Sequence, residues 1–260
     1  MSEPHHLLRV NANLGALHVS ALMTLSAPWT ILFGPSGSGK STILRATCGL
    51  VPSANVQFTQ TLRSAADRTQ SLDKIPTHRR NLAYAPQGAV LFPHLTVRQN
   101  VSFATDIRHQ PNSSATDVAL DLFQLTPLAH RLPRDLSGGE RQRVNLARAF
   151  AVPAPHLILL DEPFTGVDSP LRDILLPRMQ QHAAQQGIPI LSVTHDIEEA
   201  LILNAEVIRL EKGLIVDQGP ASEVLAEERA PHAANPATLS YGASQQGYGA
   251  SPPAPARAPA

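Results

Sequence analysis

The sequence predicts an α/β fold with a mainly parallel sheet, and three observations carry that reading. Five short apolar runs are continuous rather than alternating, as in strands buried on both faces. Stretches of helical periodicity separate them, the order expected of strands with helices on both sides of a sheet. A glycine-rich segment joins the first run directly to a helix.

The apolar runs are Trp29 to Phe33, Leu82 to Ala85, Leu157 to Leu160, Ile190 to Val193 and Val207 to Leu210. Helices are expected over Lys40 to Cys48, Asp117 to Leu125, Glu140 to Ala151 and Leu171 to Gln186. Gly49 follows the first helix as a C-terminal stop. Pro52 to His78 is polar and weakly patterned, and reads as short strands and loops. From about Pro220 the texture turns to Ala, Pro, Ser and Gly, with too little apolar surface to offset ordering entropy, so residues 223–260 read as a disordered tail. Proline marks that change: 7 of the 23 lie from Pro220 onward, while Pro35, Pro86, Pro93 and Pro163 sit in motif loops.

Composition excludes several functions. The 21 Lys and Arg balance 21 Asp and Glu, which argues against a basic face reading nucleic acid. Hydrophobic residues at 43% and charged residues at 16% give a substantial core. With 7 Phe, 3 Tyr and 1 Trp, aromatic stacking platforms are not expected and aliphatic packing dominates. The single cysteine, Cys48, excludes an internal disulfide and a multi-cysteine zinc site, and fits a reducing compartment. His5, His6, His78 and His109 show no paired ligand spacing, so surface or packing roles are expected. No run approaches the roughly 18 apolar residues of a membrane span, and the start lacks a charged and then apolar leader, so the chain is expected to be neither secreted nor membrane-spanning.

The segment Gly34-Pro35-Ser36-Gly37-Ser38-Gly39-Lys40-Ser41, with Thr42 next, lies between an apolar run and a helix. It matches the P-loop pattern in its required context. Its glycines turn successive backbone N–H groups into one concavity, and the helix N-terminus adds positive potential where phosphate sits. Lys40 is expected to reach the β- and γ-phosphates of ATP, and Ser41 to ligate Mg²⁺. Leu157 to Pro163 is an apolar run ending in two carboxylates. Asp161 is placed to hold Mg²⁺ beside Ser41, and Glu162 to act as general base toward the attacking water.

Leu136-Ser137-Gly138-Gly139-Glu140 opens the Glu140 to Ala151 helix. Two glycines and a serine at a helix start form a second anion site, and the whole pentapeptide resembles the signature sequence of the ATP-binding-cassette ATPases. That resemblance covers roughly residues 7 to 222. It implies a P-loop NTPase core of RecA-like type, an N-terminal antiparallel β portion, and a helical subdomain at about 88–150 that carries the signature. It also implies a dimer of cassettes in which one subunit's signature, Ser137 to Glu140, closes over the nucleotide on its partner's P-loop. Further matches follow in the family's order. Gln87 resembles the loop glutamine that touches Mg²⁺ and the attacking water, His195 the switch histidine at the γ-phosphate, and Asp168 the acidic residue of the loop crossing the dimer interface.

Two departures stand out. Thr165-Gly166-Val167 precedes Asp168 where Ser-Ala-Leu is commoner, and Asn11 to Ser20 holds no aromatic residue to stack on adenine. His18 is a substitute for that platform, whereas Trp29 reads as a core strand residue.

Gln87 to Asn100, with its Leu91-Phe92 pair before Pro93, resembles the importer segment that receives a short helix from a membrane subunit. A packed turn of the helical subdomain is the alternative. Leu14 to Leu17, Leu91 to His94, His130 to Gly139 and Leu171 to Pro177 look most like molybdate importer ATPases, with sulfate, iron and polyamine importers sharing most motifs. The resemblance implies a peripheral ATPase on the cytoplasmic face of the inner membrane, with two permease subunits and, indirectly, a periplasmic or extracellular solute-binding protein as partners. The C-terminal regulatory domain usual in those importers is not expected here. A non-transport cassette protein acting on DNA or the ribosome, or a P-loop kinase, is the rival reading.

Overall fold

The computed structural model describes residues 6–25, 28–60, 68–107 and 113–229. His5, His109 and residues 230–260 of the expected tail lie outside the described residues, whereas residues 223–229 of it fall in or between two short helices with Val224 and Leu225 buried, because these apolar side chains reach the core.

The strands are β1 (His6–Leu14), β2 (Leu17–Leu25), β3 (Trp29–Phe33), β4 (Asn55–Gln60), β5 (Arg68–Ser71), β6 (Leu82–Ala85), β7 (Leu157–Asp161), β8 (Ile190–Val193), β9 (Glu206–Glu211) and β10 (Leu214–Pro220). The helices are α1 (Lys40–Thr47), α2 (Val97–Ile107), α3 (Ser113–Leu122), α4 (Gly138–Phe150), α5 (Ser169–Gln186), α6 (Ile197–Ile202), α7 (Ala221–Val224) and α8 (Ala226–Arg229). All five apolar runs are strands. They form one parallel block in the order β9, β3, β8, β7, β6.

Continuous apolarity has the expected cause. In β7, Leu157 and Leu159 join a core with α1 and the N-terminal strands, while Ile158 and Leu160 face a second core built with α4 and α5. Both faces of the block are covered, so neither needs polar residues. The N-terminal portion is antiparallel, β2 with β1, β1 with β4 and β4 with β5. Here one face is wet, and β1 alternates buried with exposed residues from His6 to Arg9. A single parallel pair, Leu214 with Ser20, joins the two portions through β10.

Helix boundaries follow local chemistry. Helix α1 ends at Thr47, where Gly49 is left-handed and Leu50 N–H reaches back to Arg45 O at 2.8 Å, so the predicted stop holds. Helix α3 starts at Ser113 and ends at Leu122 rather than running from Asp117 to Leu125. Left-handed Gln124 turns the chain, and Leu125 N–H closes on Leu120 O at 2.7 Å. Thr96 and Gln99 form a reciprocal capping box that opens α2. Helices α2, α3 and α4 pack on one another as a helical unit beside the parallel block. Trp29 is a core residue, 1% exposed, with its indole N–H donating to Ser192 Oγ at 2.8 Å. His6 is buried and stacks on Phe58 at 5.8 Å, a packing role. No described helix is long and apolar enough to cross a membrane.

Candidate functional site

Each of β3, β7 and β8 ends at the same edge of the parallel block, so the loops after them meet. The loop after β3 is the glycine-rich segment. Gly39 caps α1 with φ of 104°, a conformation that an L side chain rarely adopts. Lys40 folds over this loop and donates to Gly34 O at 2.7 Å and Pro35 O at 2.8 Å. Burial lowers its pKa, while the charges of Glu162 and Asp161 oppose that. The ammonium is therefore held at the mouth of the concavity with two carboxylates nearby.

The Ser41 hydroxyl donates to Asp161 Oδ1 at 2.8 Å, and Tyr84 lies 3.5 Å from Asp161 Oδ2. Asp161 is 3% exposed, and burial raises its pKa. Glu162 follows with φ of 48°. A left-handed non-glycine residue costs on the order of 1–3 kcal/mol and gathers at functional sites. Its amide is anchored to Val193 O at 2.9 Å, and the carboxylate lies between two partners: Thr165 Oγ1 donates to it at 3.2 Å, and His195 Nδ1 is 3.3 Å from Oε1. Thus two strand ends bring a carboxylate and an imidazole together.

A cleft of about 260 Å³ is lined by Leu17, Ser36, Gly37, Gly39, Lys40, Ser41, Thr42, Gln87, Glu162 and Val193. Five sequence-predicted groups are thereby brought together: the P-loop, Gln87, Asp161 through Ser41, Glu162, and His195 through Glu162. The donor set of Ser41, Asp161 and Gln87 is entirely oxygen or amide, which suits a hard divalent cation such as Mg²⁺. Leu17 was not singled out from the sequence. It is half-buried on the cleft wall, whereas exposed His18 turns to Asn13, a close hydrogen-bond partner.

Ser137 to Glu140 and Asp168 do not line this cleft. Ser137 and Glu140 form a full capping box, Glu140 N–H to Ser137 Oγ at 3.2 Å and Ser137 N–H to Glu140 Oε2 at 2.7 Å. Ser137 and Gly138 are exposed. A Cβ on Gly139 would come within 2.8 Å of Gly166 O, so only glycine lets the signature helix approach the Asp168 turn this closely. Asp168 caps α5, accepting from Leu171 N–H at 3.3 Å. Buried Gln142 donates to Pro163 O at 2.9 Å and buried Asn145 to Pro86 O at 3.1 Å, tying α4 to the loops after Asp161 and before Gln87.

A separate apolar groove of about 390 Å³ is lined by Pro86, Val90, Leu91, Phe92, Phe103 and Arg148. Buried Asn100 holds its rim, donating to Phe92, Leu95 and Thr96 carbonyls and accepting from Phe92 N–H. Arg148 donates to Val90 O at 2.8 Å and lies over the Phe92 ring. These bonds pin the rim, while Val90 stays 67% exposed.

Comparison with known proteins follows the same motifs. The ABC transporter family profile matches residues 23–165. The chain is 41% identical over 199 residues to a molybdenum import ATP-binding protein, ModC, of Albidiferax ferrireducens, covering 75% of this chain and 53% of that protein. It is 38% identical over 203 residues to a sulfate/thiosulfate import ATP-binding protein, CysA, of Synechocystis sp., covering 77% and 55%. A molybdate/tungstate import ATP-binding protein, WtpC, of Pyrococcus horikoshii is 33% identical over 207 residues, covering 78% and 58%. The chain thus spans little more than half the length of these relatives. Among solved structures, a dimeric post-hydrolysis state of the ATP-binding cassette MJ0796 with ADP and Pi shares the fold at TM-score 0.67 and 24% identity, covering 84% of this chain and 98% of that one. With its P-loop, paired carboxylates and signature helix arranged as described, the chain belongs to the ABC transporter family as an ATP-binding cassette.

Proposed function

We propose that this cassette hydrolyses ATP as one of a pair, driving two membrane permease subunits of an importer from the cytoplasmic face of the inner membrane, with a solute-binding protein delivering the cargo. One observation carries the hydrolytic reading: the Lys40 loop, the Ser41–Asp161 pair and the Glu162–His195 pair converge on one cleft. ATP lies along the P-loop N–H groups, with Lys40 exchanging its two carbonyl partners for the β- and γ-phosphates. Ser41, Asp161 and Gln87 hold Mg²⁺, which draws charge from the phosphate oxygens when bound. Glu162 accepts a proton from the water that attacks the γ-phosphorus, and the bond to the β,γ-bridging oxygen breaks to give ADP and phosphate. Its partners Thr165 and His195 fix that carboxylate, and His195 reaches the γ-phosphate from the same side.

Ser137, Gly138, Gly139 and Glu140, with Asp168 behind them, supply the second anion site to a partner's nucleotide. Exposure of Ser137 supports this, because an outward helix start can serve only another molecule. Closing and opening of the pair is transmitted through Gln87 to the Val90–Phe92 groove, whose apolar wall and pinned rim suit a short permease helix. Residues 1–222 form the cassette in this reading, with about 88–150 as its helical subdomain.

The cargo we infer is molybdate or a related oxyanion, since relatives at 33–41% identity carry molybdenum, molybdate/tungstate and sulfate/thiosulfate import names. Phosphate release from ATP and Mg²⁺ without any acceptor tests the hydrolytic step; release only when an acceptor is added makes the protein a kinase. Uptake of labelled molybdate in cells lacking this gene, with sulfate as competitor, tests the cargo.

A further inference from the structure

We propose that Arg172 is a positioning residue for His195, coupling the turn at Asp168 to the direction of the switch imidazole. This rests on the reading of His195 as the γ-phosphate contact. The His195 side chain is 75% exposed, so no packed wall fixes it, and its aim toward Glu162 must come from its own backbone. Both neighbours in sequence are held. Asp196 N–H donates to Thr194 Oγ1 at 3.0 Å, and Asp196 Oδ1 accepts from Glu198 N–H at 2.8 Å, capping α6. The other Asp196 oxygen is gripped by Arg172 Nη1.

Arg172 is itself only 5% exposed, and it serves three carboxylates. Besides Asp196, its Nη2 donates to Glu198 Oε2 at 2.8 Å and its Nε to Asp173 Oδ1 at 2.9 Å. Burial works against its charge, and the bonds from Glu198 and Asp173 with the charge of Asp196 more than offset that. At its other end Arg172 N–H bonds Asp168 O at 3.0 Å in the first turn of α5. One residue therefore joins the cap at Asp168 to the residue directly after His195. A planar fork with donors on three nitrogens is needed to span these partners, and a lysine ammonium cannot reproduce it.

A residue that merely staples α5 to α6 would stabilise the fold without acting through His195. A double-mutant cycle on the full-length protein separates the two. Turnover at saturating ATP and Mg²⁺, nucleotide affinity and circular dichroism are measured for Arg172→Gln, Arg172→Lys, His195→Ala and the combinations, using single-turnover conditions for slow variants. Arg172→Gln is expected to slow turnover about 10-fold or more with affinity changed under about 2-fold, and to cost less than about 2-fold further in the His195→Ala background. Arg172→Lys should resemble the Gln variant, and it carries the cycle if Arg172→Gln does not fold. Equal losses in both backgrounds would overturn positioning while leaving the switch reading intact. Unimpaired turnover of His195→Ala would instead overturn the switch reading, and the proposal with it.

Discussion

Ser41 and Asp161, 120 residues apart in sequence, are joined by a 2.8 Å hydrogen bond across the cleft floor. The bond links the start of the P-loop helix to the end of β7, so the P-loop and the buried Asp161 carboxylate are one unit. Asp161 is charged at a cost, since burial raises its pKa. Asp161→Asn removes that cost, so the fold should be retained while turnover drops roughly 100-fold or more and the Mg²⁺ requirement rises. Denaturant titration and phosphate release across a Mg²⁺ series measure both, and chelation by EDTA should stop wild-type turnover reversibly.

Glu162 is the proposed general base. Glu162→Gln keeps its shape and its contact with Thr165 but cannot accept a proton. Turnover should fall about 10²- to 10⁴-fold while ATP still binds and a dimer accumulates by size-exclusion chromatography. Undiminished turnover removes Glu162 from that role.

Leu17 lines the cleft beside the P-loop, which has no aromatic ring among its lining residues, and in the proposed reading it meets the base of the nucleotide. An aliphatic wall offers contact but no stacking geometry and no hydrogen bond to a base edge. ATP and GTP should therefore give kcat/KM values within about 5-fold of each other, and Leu17→Trp should lower KM for both. Strong preference for one nucleotide contradicts this.

Glu199 gives the fold a pH dependence. Burial raises its carboxyl from 4.5 to about 7, its bond from Thr194 opposing the shift, Asp196 adding to it and Arg172 and His195 opposing it. The folded state holds this proton more tightly than the unfolded chain does. Its contribution is thus most favourable below the ordinary carboxylate range and is lost as pH rises through about 7. The loss is on the order of 3 kcal/mol. Glu199→Gln should flatten urea-unfolding stability between pH 5 and pH 8 and leave the variant more stable than wild type at pH 8. A wild-type stability that rises over that interval and stays unchanged by the substitution contradicts it.

Much of the parallel block was legible because strands buried on two faces carry uninterrupted apolar runs, and because P-loop and Asp161–Glu162 chemistry sits at their ends. Helix α2 was missed although Thr96 and Gln99 have capping-box spacing and the stretch that follows is amphipathic, so both signals were present in the sequence. Pro52 to His78 reads as short strands and loops, and β4 and β5 lie there, but their bounds follow from pairing, β4 with β1 and β5 with β4, which the local sequence does not encode. Leu17, the Gly139–Gly166 approach and the Arg172–Asp196 bond could not be read at all. Each is a contact between segments distant in sequence, and neither composition nor spacing encodes which loop a side chain meets.

In the proposed dimer the active site is shared between two copies, Lys40 from one and Ser137 from the other. The direct measurement is phosphate release on mixing a Lys40→Ala variant with a Ser137→Arg variant, each inactive alone. Random pairing leaves half the dimers mixed with one intact site apiece, so roughly a quarter of wild-type activity should return. Activity that stays at the level of the separate variants, although the mixed dimer forms, contradicts the shared site.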